Sequence, residues 1–471
     1  MERIAPDLIL KGGNVVDVFS GRVIKADVII KDGIICGVGS YSGENEQDVS
    51  GKYIMPGFID SHVHIESSMT QPSEYAKAVM PHGITTVIAD PHEITNVCGE
   101  DGLEFMLKSA KNIPLDVNLM LPSCVPATPF EHTGANLDAK TTQKLAPKFF
   151  GIGEMMNYPG IVSGDDETLG KLCLDIIDGH APLLSGHELD AYASVGIKTD
   201  HECSVVEEMT EKISKGMYIL LREGTLSLDV AKLIKGVTPY TLRRCAFCTD
   251  DRFVGEIIRD GSIDHCIRKA VSLGLNNIDA IIMATLNACE MYGMKNKGAI
   301  APSYVADIVV ADDLNLSSIS QVYKNGKLVC ENGTALFECE TVDNSKVTNT
   351  VHLPKISADF FKTDVKDKFD AIELIPESII TKKVTVSYSD SLSKVCVIER
   401  HHNLGTKGIG FVTNYGITNG AIATSIGHDS HNVIVIGDND SDMALAVNTL
   451  GTSGGIAVCS EGKVIASMTL D

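Results

Sequence analysis

The segment Pro56-Gly57-Phe58-Ile59-Asp60-Ser61-His62-Val63-His64 decides the architecture of this chain. Its apolar start is typical of a buried β-strand, and its two histidines are separated by one residue. Because side chains at i and i+2 of a strand share a face, both imidazoles can reach one metal ion. The segment therefore predicts a strand that ends in a metal site, and a polar strand end with two hydrogen-bonded histidines is the alternative.

Short apolar runs alternate with helix-like segments from Met55 to about Gly298. Eight β/α repeats over about 250 residues predict a (β/α)8 TIM-like barrel in an α/β chain, and pattern alone leaves a doubly wound sheet open. The predicted strands are Gly57–Asp60, Thr85–Ala89, Val117–Leu121, Gly151–Met155, His180 with Leu183-Leu184, Thr199-Asp200, Tyr218–Leu221 and Ala246–Thr249. The predicted helices are 73–80, 102–111, 164–178, 204–215, 227–235, 263–273 and 278–290.

The sequences on both sides of the barrel region differ from it in pattern. Residues 7–40 and 304–329 alternate apolar and polar positions and break at glycine turns, which is typical of hairpins. We therefore expect residues 1–54 and 299–345 to form one small composite β-sandwich domain around the barrel of residues 55–298. Residues 346–471 contain strand-like pieces between glycine turns and a helix at 440–449, which predicts a C-terminal α+β domain.

Composition excludes several classes of function. The 471 residues carry 40 Lys+Arg against 62 Asp+Glu, a formal charge of −22, whereas nucleic acid and anionic membrane surfaces attract basic proteins. No apolar run approaches the ~18 residues of a membrane span, and Met1–Asp7 lacks a signal-peptide pattern. We expect a cytoplasmic protein with a small-molecule substrate, no nucleic-acid or membrane partner, and self-association as a homo-oligomer.

The 13 cysteines are an odd number in a long chain, which predicts reduced thiols rather than a disulfide framework. Cys245 and Cys248 have CxxC spacing, but no second pair completes a zinc site of that kind. These two cysteines are therefore predicted to pack inside a buried strand.

Further residues of metal-ligand type follow later predicted strands, where barrel enzymes place their active sites. They are Glu154, His180, His201 and Asp250. Each one alone could be an ordinary buried polar group. Together with His62 and His64 they offer enough imidazole and carboxylate ligands for two divalent cations. Such N/O ligands suit zinc, manganese or iron(II) better than calcium.

Longer strings around these residues resemble the amidohydrolase superfamily and, within it, the adenine deaminase group. The similarity extends over essentially the whole chain. The matching strings are His62–Met69, Thr86–Glu93, Leu121–Thr128, Gly153–Asn157, His180–Pro182, Asp200–Cys203, Leu221–Gly224, Cys248–Arg252 and His428–Asn432.

The resemblance implies a metal assignment and a reaction. His62, His64 and Asp250 would hold one ion, His180 and His201 the other, and Glu154 would lie between them, where many superfamily members use a carboxylated lysine. The expected cofactor is two divalent ions, manganese or iron(II) first and zinc as an alternative. The implied reaction is hydrolytic deamination of adenine to hypoxanthine and ammonia by a metal-bound hydroxide, a step of purine salvage and adenine catabolism.

Deamination at C6 needs a proton on ring N1 and a base that passes a proton from water to the departing amine. Asp250 is the predicted shuttle and Glu154 the predicted donor to N1, with a role as ligands only as the alternative. Other residues are predicted to contact the purine, each with a structural role as its alternative. They are Glu66, Ser67, Asp90, His92, Glu93, Arg222, Glu223, His428, Asp429 and His431.

Two other functions stay open at this point. One is another amidohydrolase that acts on a cyclic amide or a different nucleobase, although the carboxylated-lysine members would need lysine where Glu154 stands. The other is a barrel that serves as a non-enzymatic scaffold after losing its metals. The chain also stops just after a Gly-Lys-Val-Ile-Ala strand, where the adenine deaminases that it resembles continue, so the resemblance implies either a short variant or a truncated chain.

Overall fold

The computed structural model describes residues 6–364, 367–375, 380–387 and 392–470. Residues 1–5, part of the segment predicted to lack a signal-peptide pattern, and Asp471, the end of the chain, lie outside the described residues. The chain divides into two compact units. The main unit comprises Met1–Pro91, Met106–Ser123 and Ala139–Val342, and the C-terminal unit comprises His92–Phe105, Cys124–Asp138 and Asp343–Asp471.

The strands are numbered in chain order. Those of the main unit are β1 (Leu8–Asp17), β2 (Arg22–Lys31), β3 (Ile34–Gly39), β4 (Glu46–Asp48), β5 (Tyr53–Pro56), β6 (Phe58–Val63), β7 (Ile84–Ala89), β8 (Asp116–Leu121), β9 (Gly151–Met155), β10 (Ile177–Gly179), β11 (Thr199–Asp200), β12 (Tyr218–Arg222), β13 (Cys245–Cys248), β14 (Ile308–Ala311), β15 (Ile319–Lys324), β16 (Lys327–Glu331) and β17 (Thr334–Ala335). Those of the C-terminal unit are β18 (Lys368–Leu374), β19 (Thr381–Ser387), β20 (Ser393–Ile398), β21 (Lys407–Thr413), β22 (Gly420–Thr424), β23 (Val433–Gly437), β24 (Ile456–Ser460) and β25 (Lys463–Met468).

The α-helices are numbered in the same way. They are α1 (Pro72–Val79), α2 (His92–Ser109), α3 (Ala139–Leu145), α4 (Tyr158–Ser163), α5 (Asp166–Gly170), α6 (Gly186–Ser194), α7 (Val206–Ser214), α8 (Val230–Leu233), α9 (Val254–Asp260), α10 (Ile263–Ser272), α11 (Asn277–Met283), α12 (Leu286–Met291) and α13 (Asp440–Thr449). A 3-10 turn at Ile65–Ser68 follows β6 directly.

Strands from both ends of the main unit form one sheet. Its order is β17-β16-β15-β14-β5-β1-β2-β3, and β4 pairs with β1. Leu10, Val28, Ile54 and Ile308 are buried together in its core. The sheet therefore joins residues 8–56 to residues 308–335, and the interposed chain carries the parallel strands.

The interposed strands β6–β13 are parallel and alternate with helices. They form a five-stranded sheet of order β10-β9-β8-β7-β6 and a three-stranded sheet of order β11-β12-β13. A bridge between Val63 and Asp250 links β6 to the end of β13. All residues of β6, β7, β9 and β13 are buried, as expected for parallel strands that are covered on both faces.

Most of the predicted strands are confirmed within a residue or two, but the fifth is wrong. The strand lies at Ile177–Gly179, before His180, and Leu183 instead sits in an exposed turn at φ +60°. The predicted helix 164–178 is wrong as well, because only Asp166–Gly170 is helical and the apolar pair Ile176-Ile177 leads into β10. A short apolar run carries no periodicity that separates a buried strand from a helix.

Two other predicted helices differ in extent. Helix α2 starts at His92 but is interrupted at Gly99, whose φ of +56° and ψ of −134° are not helical, so the predicted helix 102–111 corresponds to its second part. The segment 278–290 is interrupted at Thr285, whose φ of −137° is not helical, so that α11 and α12 are separate. The prediction for Cys245 and Cys248 is confirmed, since both are buried in β13.

The C-terminal unit contains an eight-stranded sheet of order β19-β18-β21-β20-β23-β22-β24-β25. Helix α13 packs on this sheet, and its Met443 and Val447 are buried with Cys396 and Val435. Asn439 caps the helix by accepting a hydrogen bond from the Asp442 amide.

Among the described residues, no helix has both the length and the apolar content that a membrane crossing requires.

Candidate metal centre

The structure brings the six predicted metal ligands together in the main unit. His62 lies in β6, Glu154 in β9, and the others directly follow their strands: His64 after β6, His180 after β10, His201 after β11 and Asp250 two residues after β13. Parallel strands place their C-terminal ends on one edge, which explains why residues far apart in sequence meet here.

Glu154 occupies the middle of this group. Its Oε2 lies 2.6 Å from Nδ1 of His180 and 3.0 Å from Nε2 of His201. Its Oε1 lies 3.5 Å from Nε2 of His64. Oε1 therefore faces the half of the group that contains His64, and Oε2 faces the half that contains His180 and His201. A carboxylate between two ions would need such an arrangement.

The other half contains His62, His64 and Asp250. The Nε2 atoms of the two histidines are 3.2 Å apart, and Oδ1 of Asp250 lies 3.7 Å from the first and 3.1 Å from the second. The ring of His201 stacks on that of His62 with centroids 4.0 Å apart, which connects the two halves.

The tautomer of His64 shows that these residues fit a cation. Its Nδ1 donates a hydrogen bond to the backbone carbonyl of Asp90 at 2.8 Å, so in the neutral ring Nε2 carries a lone pair. That lone pair faces the carboxylates of Asp250 and Glu154, an arrangement that is repulsive without a positive charge between them. Imidazole and carboxylate ligands of this kind suit divalent transition metals.

Asp90 positions a second ligand as well. Its Oδ2 accepts a hydrogen bond from the backbone N–H of Glu154 at 2.9 Å. A Cβ on Gly153 would lie 2.1 Å from that oxygen, so the glycine permits the close approach. Asp90 therefore holds both His64 and Glu154, which supports a structural role for a residue predicted to contact substrate.

Buried acids also lie behind other ligands. Oδ2 of Asp178 is 3.5 Å from Nδ1 of His62, and Asp178 accepts a hydrogen bond from Thr199 at 2.9 Å. Asp60 accepts hydrogen bonds from the backbone and hydroxyl of Thr249 and so ties β6 to β13. Burial raises the pKa of Asp60 to about 6 although these hydrogen bonds favour the carboxylate.

Charges inside the centre shift two pKa values in opposite directions. Burial favours a neutral His180, but the charge of Glu154 and its hydrogen bond outweigh it and raise the pKa of His180 to about 9. Burial alone would also raise the pKa of Asp250. In the imidazolium form of His64, Nε2 donates a hydrogen bond to Asp250; this bond and the guanidinium of Arg222 instead hold that pKa well below its usual range, so Asp250 is ionised at neutral pH.

Arg222 forms buried ion pairs beside the centre. Its guanidinium contacts Oδ2 of Asp250 at 2.8 Å and Oδ2 of Asp229 at 3.1 Å, and it also pairs with Glu202. Glu223 pairs with Lys269, and Ser67 donates a hydrogen bond to Asp251. Contacts of Glu66, Ser67, Asp90, Arg222 and Glu223 with a substrate stay predictions.

The remaining predicted substrate residues belong to the C-terminal unit. Glu93 lies within 3.1 Å of His428 and 3.3 Å of His431, and Nε2 of His92 lies 3.8 Å from Oδ1 of Asp429. The structure thus brings together, within one unit, residues that come from two distant segments of the chain. Their contact with a substrate also stays a prediction.

Three residues that contribute to the centre were missed by the sequence analysis. Oε1 of Glu202 lies within 3.9 Å of both His180 and His201, Asp178 backs His62, and Lys212 is buried beside Asp200. Glu202 could have been predicted from its position directly after His201. Lys212 had no such signal, since it follows Glu208 by four residues on a helix and looks like half of a surface ion pair.

Parallel strands with imidazole and carboxylate ligands at their C-terminal ends define a metal-dependent hydrolase of the amidohydrolase class. Residues 53–329 match the Amidohydrolase family, and residues 374–471 match the Adenine deaminase C-terminal domain. The solved structure of molinate hydrolase has the same fold at a TM-score of 0.51 and 15% identity, over 69% of this chain and 95% of that chain. A β-aspartyl dipeptidase from Fervidobacterium islandicum AW-1 has a TM-score of 0.50 at 19% identity, over 71% of this chain and 99% of that chain.

Curated relatives are more similar in sequence. The adenine deaminase of Clostridium acetobutylicum is 47% identical over 98% of this chain and 85% of its own length. The adenine deaminase 2 of Desulfotalea psychrophila is 45% identical over 99% of this chain and 85% of its own length. The chain therefore belongs to the adenine deaminase family of amidohydrolases.

Proposed function

We propose that this protein is a hydrolase that deaminates adenine to hypoxanthine and ammonia. The observation that carries the proposal is the Glu154 carboxylate, which faces His64 with one oxygen and His180 and His201 with the other. Relatives that are 41–47% identical over nearly the whole chain are named adenine deaminases, which supports adenine as the substrate.

The same geometry supports the metal assignment that the family resemblance implies. His62, His64 and Asp250 would hold one divalent ion, His180 and His201 the other, and Glu154 would lie between the two. Divalent ions bound there lower the pKa of water and so make hydroxide available near neutral pH. We propose manganese or iron(II) as the native metal, with zinc as the alternative, because all three accept imidazole and carboxylate ligands.

Asp250 is the proposed proton shuttle. Its carboxylate is held ionised by Arg222, so it can accept a proton from water and pass that proton to the departing amine. The backbone holds the side chain in place, since the Asp250 amide donates to the His62 carbonyl at 3.0 Å and the Asp250 carbonyl accepts from the His64 amide at 3.2 Å. The backbone N–H and C=O of Asp250 are thereby both hydrogen-bonded to the segment that contains His62 and His64.

Glu154 is the proposed donor of the proton that ring N1 needs. Its carboxylate is only 2% exposed, so a proton that it carries is shielded from bulk water. Glu66, Ser67, Asp90, Arg222 and Glu223 are proposed to shape the pocket for the purine.

The finer architectural and cellular predictions also stay proposals. The strands β6–β13 are proposed to form one closed eight-stranded barrel, for which the Val63–Asp250 bridge is the support. A homo-oligomeric state, a cytoplasmic location and a place in purine salvage are proposed on composition and resemblance.

Ammonia release tests the proposed function. The full chain is stripped with a chelator, reloaded with Mn2+, Fe2+ or Zn2+, and assayed on adenine, guanine, adenosine and cytosine. We expect release from adenine only, abolished in Glu154→Gln and retained in Glu188→Gln, whose carboxylate is exposed on α6. Metal-loaded protein that leaves adenine untouched would refute the proposal. Activity on another base would instead favour a different amidohydrolase function, and bound metal without any activity would favour a scaffold.

A further inference from the structure

A second group of ligand-type side chains lies in the C-terminal unit and shares no residue with the Glu154 centre. Glu93, at the start of α2, contacts two imidazoles that follow β22. Its Oε1 lies 3.1 Å from Nδ1 of His428, and its Oε2 lies 3.3 Å from Nε2 of His431. The two rings are 5.5 Å apart between centroids.

The environment of His431 indicates that a ligand belongs in this group. His431 is only 7% exposed, and its Nε2 is buried without a hydrogen-bond partner among the described residues. The nearby Glu93 oxygen at 3.3 Å is not placed to receive a hydrogen bond from it. A buried imidazole nitrogen without a partner costs free energy unless something else satisfies it, and a metal ion does so.

The separations match those expected around one ion. Ligand atoms about 2.1 Å from a metal and 90–110° apart are roughly 3.0–3.4 Å from each other. The two contacts of Glu93 fall within this range. At Glu154 the two carboxylate oxygens likewise face different imidazoles, Oε1 that of His64 and Oε2 that of His180.

The backbone conformation of His431 places its side chain beside Glu93. Its φ of +54° is in the left-handed region, which a histidine adopts at a cost unless its surroundings require it. The His431 amide donates to the Gly427 carbonyl at 2.7 Å, which closes the turn and brings His428 and His431 to the same carboxylate. Asp429 within this turn adds a further negative charge beside His92.

An approach for an ion is present within the same unit. A cavity of about 430 Å³ is lined by His428 together with Glu131, Glu399 and Asn432. The side chain of His428 is 37% exposed, whereas that of Glu93 is 3% exposed. The cavity therefore borders His428, the most exposed of the three side chains.

We propose that Glu93, His428 and His431 form a further divalent-cation site in the C-terminal unit, in addition to the two ions of the Glu154 centre. The ligand chemistry is one carboxylate and two imidazoles, which suits Mn2+, Fe2+ or Zn2+. Such an ion would tie the start of α2 to the turn after β22 and so stabilise the C-terminal unit. The proposal does not rest on adenine deamination.

Counting bound Mn2+ tests the site, because Mn2+ prefers carboxylate and imidazole to the thiols of the cysteines. Chelator-stripped full chain is titrated with Mn2+ alone, and the free ion is followed by its electron paramagnetic resonance signal. The variants are Glu93→Gln, His428→Asn and His431→Asn. The matched control is His402→Asn, an imidazole of the same unit that contacts the Thr133 carbonyl at 3.0 Å outside the group.

We expect each of the three variants to bind one equivalent less than wild type, and His402→Asn to bind the wild-type number. In a Glu154→Gln background, adding Glu93→Gln should again remove one equivalent, which separates this site from the catalytic centre. Mn2+ should also raise the melting temperature of the C-terminal unit in wild type and in His402→Asn, but not in Glu93→Gln.

Two results would overturn the proposal. One is an unchanged number and affinity of bound Mn2+ in Glu93→Gln and His428→Asn. The other is an unchanged ion count with a raised KM for adenine, which would make the group a substrate contact. If circular dichroism shows that His431→Asn does not fold, the other two variants decide the question, because His428 is partly exposed and Glu93→Gln preserves volume.

Discussion

Removing the amine of Lys212 is the sharpest perturbation that the main unit offers. Lys212 is fully buried, and its Nζ donates to the Ala181 carbonyl at 2.7 Å, to Asp200 at 3.0 Å and to Glu208 at 2.7 Å. Ala181 directly follows His180, and Asp200 directly precedes His201. One ammonium group therefore ties together the two strand ends that carry this pair of ligands.

The Lys212→Met variant leaves two buried carboxylates without their cation. Burial would raise the pKa of Asp200, and the charge of Lys212 holds that pKa below its usual value. Breaking a buried ion pair by removing one partner costs about 3–5 kcal/mol. We expect a loss of this size in the free energy of unfolding of the main unit.

The same variant should also weaken metal binding at the His180–His201 pair. Asp200 still accepts hydrogen bonds from the amides of Ala181 and Glu202, at 3.1 Å and 2.7 Å, so the fold should persist with the two loops less firmly held. Loss of groups that orient metal ligands costs about 10–100-fold in metal affinity. We expect a loss of that size for the ion held by His180 and His201.

Urea unfolding of metal-free protein and competition with a chromophoric chelator measure the two effects. Unfolding is followed by circular dichroism, because the chain has no tryptophan. The control is Lys215→Met on the turn after the same helix, where the lysine forms an exposed ion pair with Asp190 at 2.6 Å. That pair should contribute about 0–1 kcal/mol. If Lys212→Met unfolds at the same urea concentration as Lys215→Met and binds metal as tightly, Lys212 does not position the centre.

Three further predictions concern single residues. His62→Ala should lose bound metal and turnover while its circular dichroism spectrum stays that of wild type; full activity with metal bound would remove His62 from the site. Asp250→Asn should weaken metal binding modestly and reduce kcat by about 10²–10⁴-fold; equally small effects on both would refute the shuttle role. Burial and the charge of Arg400 lower the pKa of His401 to about 4, so stability should fall by at most about 3 kcal/mol as the pH drops from 6.5 to 4. Thermal unfolding at several pH values should show this loss of stability between pH 6.5 and 4, and His401→Gln should not show it. An equal loss in both proteins would refute the titration of His401 as its cause.

The six candidate metal ligands could be predicted because each one is locally recognisable. His62 and His64 alternate on a buried strand, and Glu154 and Asp250 lie at or just after apolar runs. His180 was recognised although the strand before it was misplaced, since the ligand type and its place near a strand end carry the signal. The family resemblance then supplied the pairing of ligands with ions and the reaction, which no spacing rule contains.

Residues whose role depends on burial could not be predicted. Glu208 and Lys212 are four residues apart on a helix, a pattern that is typical of an exposed ion pair. In the folded chain the lysine is fully buried and connects two loops. The pairing of Glu93 with His428 and His431 could not be predicted from the sequence either, because the two segments are far apart along the chain.

The sequence by itself determined the parallel strand–helix alternation, the six ligand-type residues and their order along the chain. These depend on local periodicity and on side-chain chemistry, which neighbouring residues encode. Only the tertiary structure decided that Glu154 faces imidazoles on both sides, that Asp90 and Lys212 hold the ligands, and that segments 92–105 and 124–138 fold with the C-terminal unit. The physical reason is that these features depend on burial and on contacts between distant segments, and both arise only when the chain is packed.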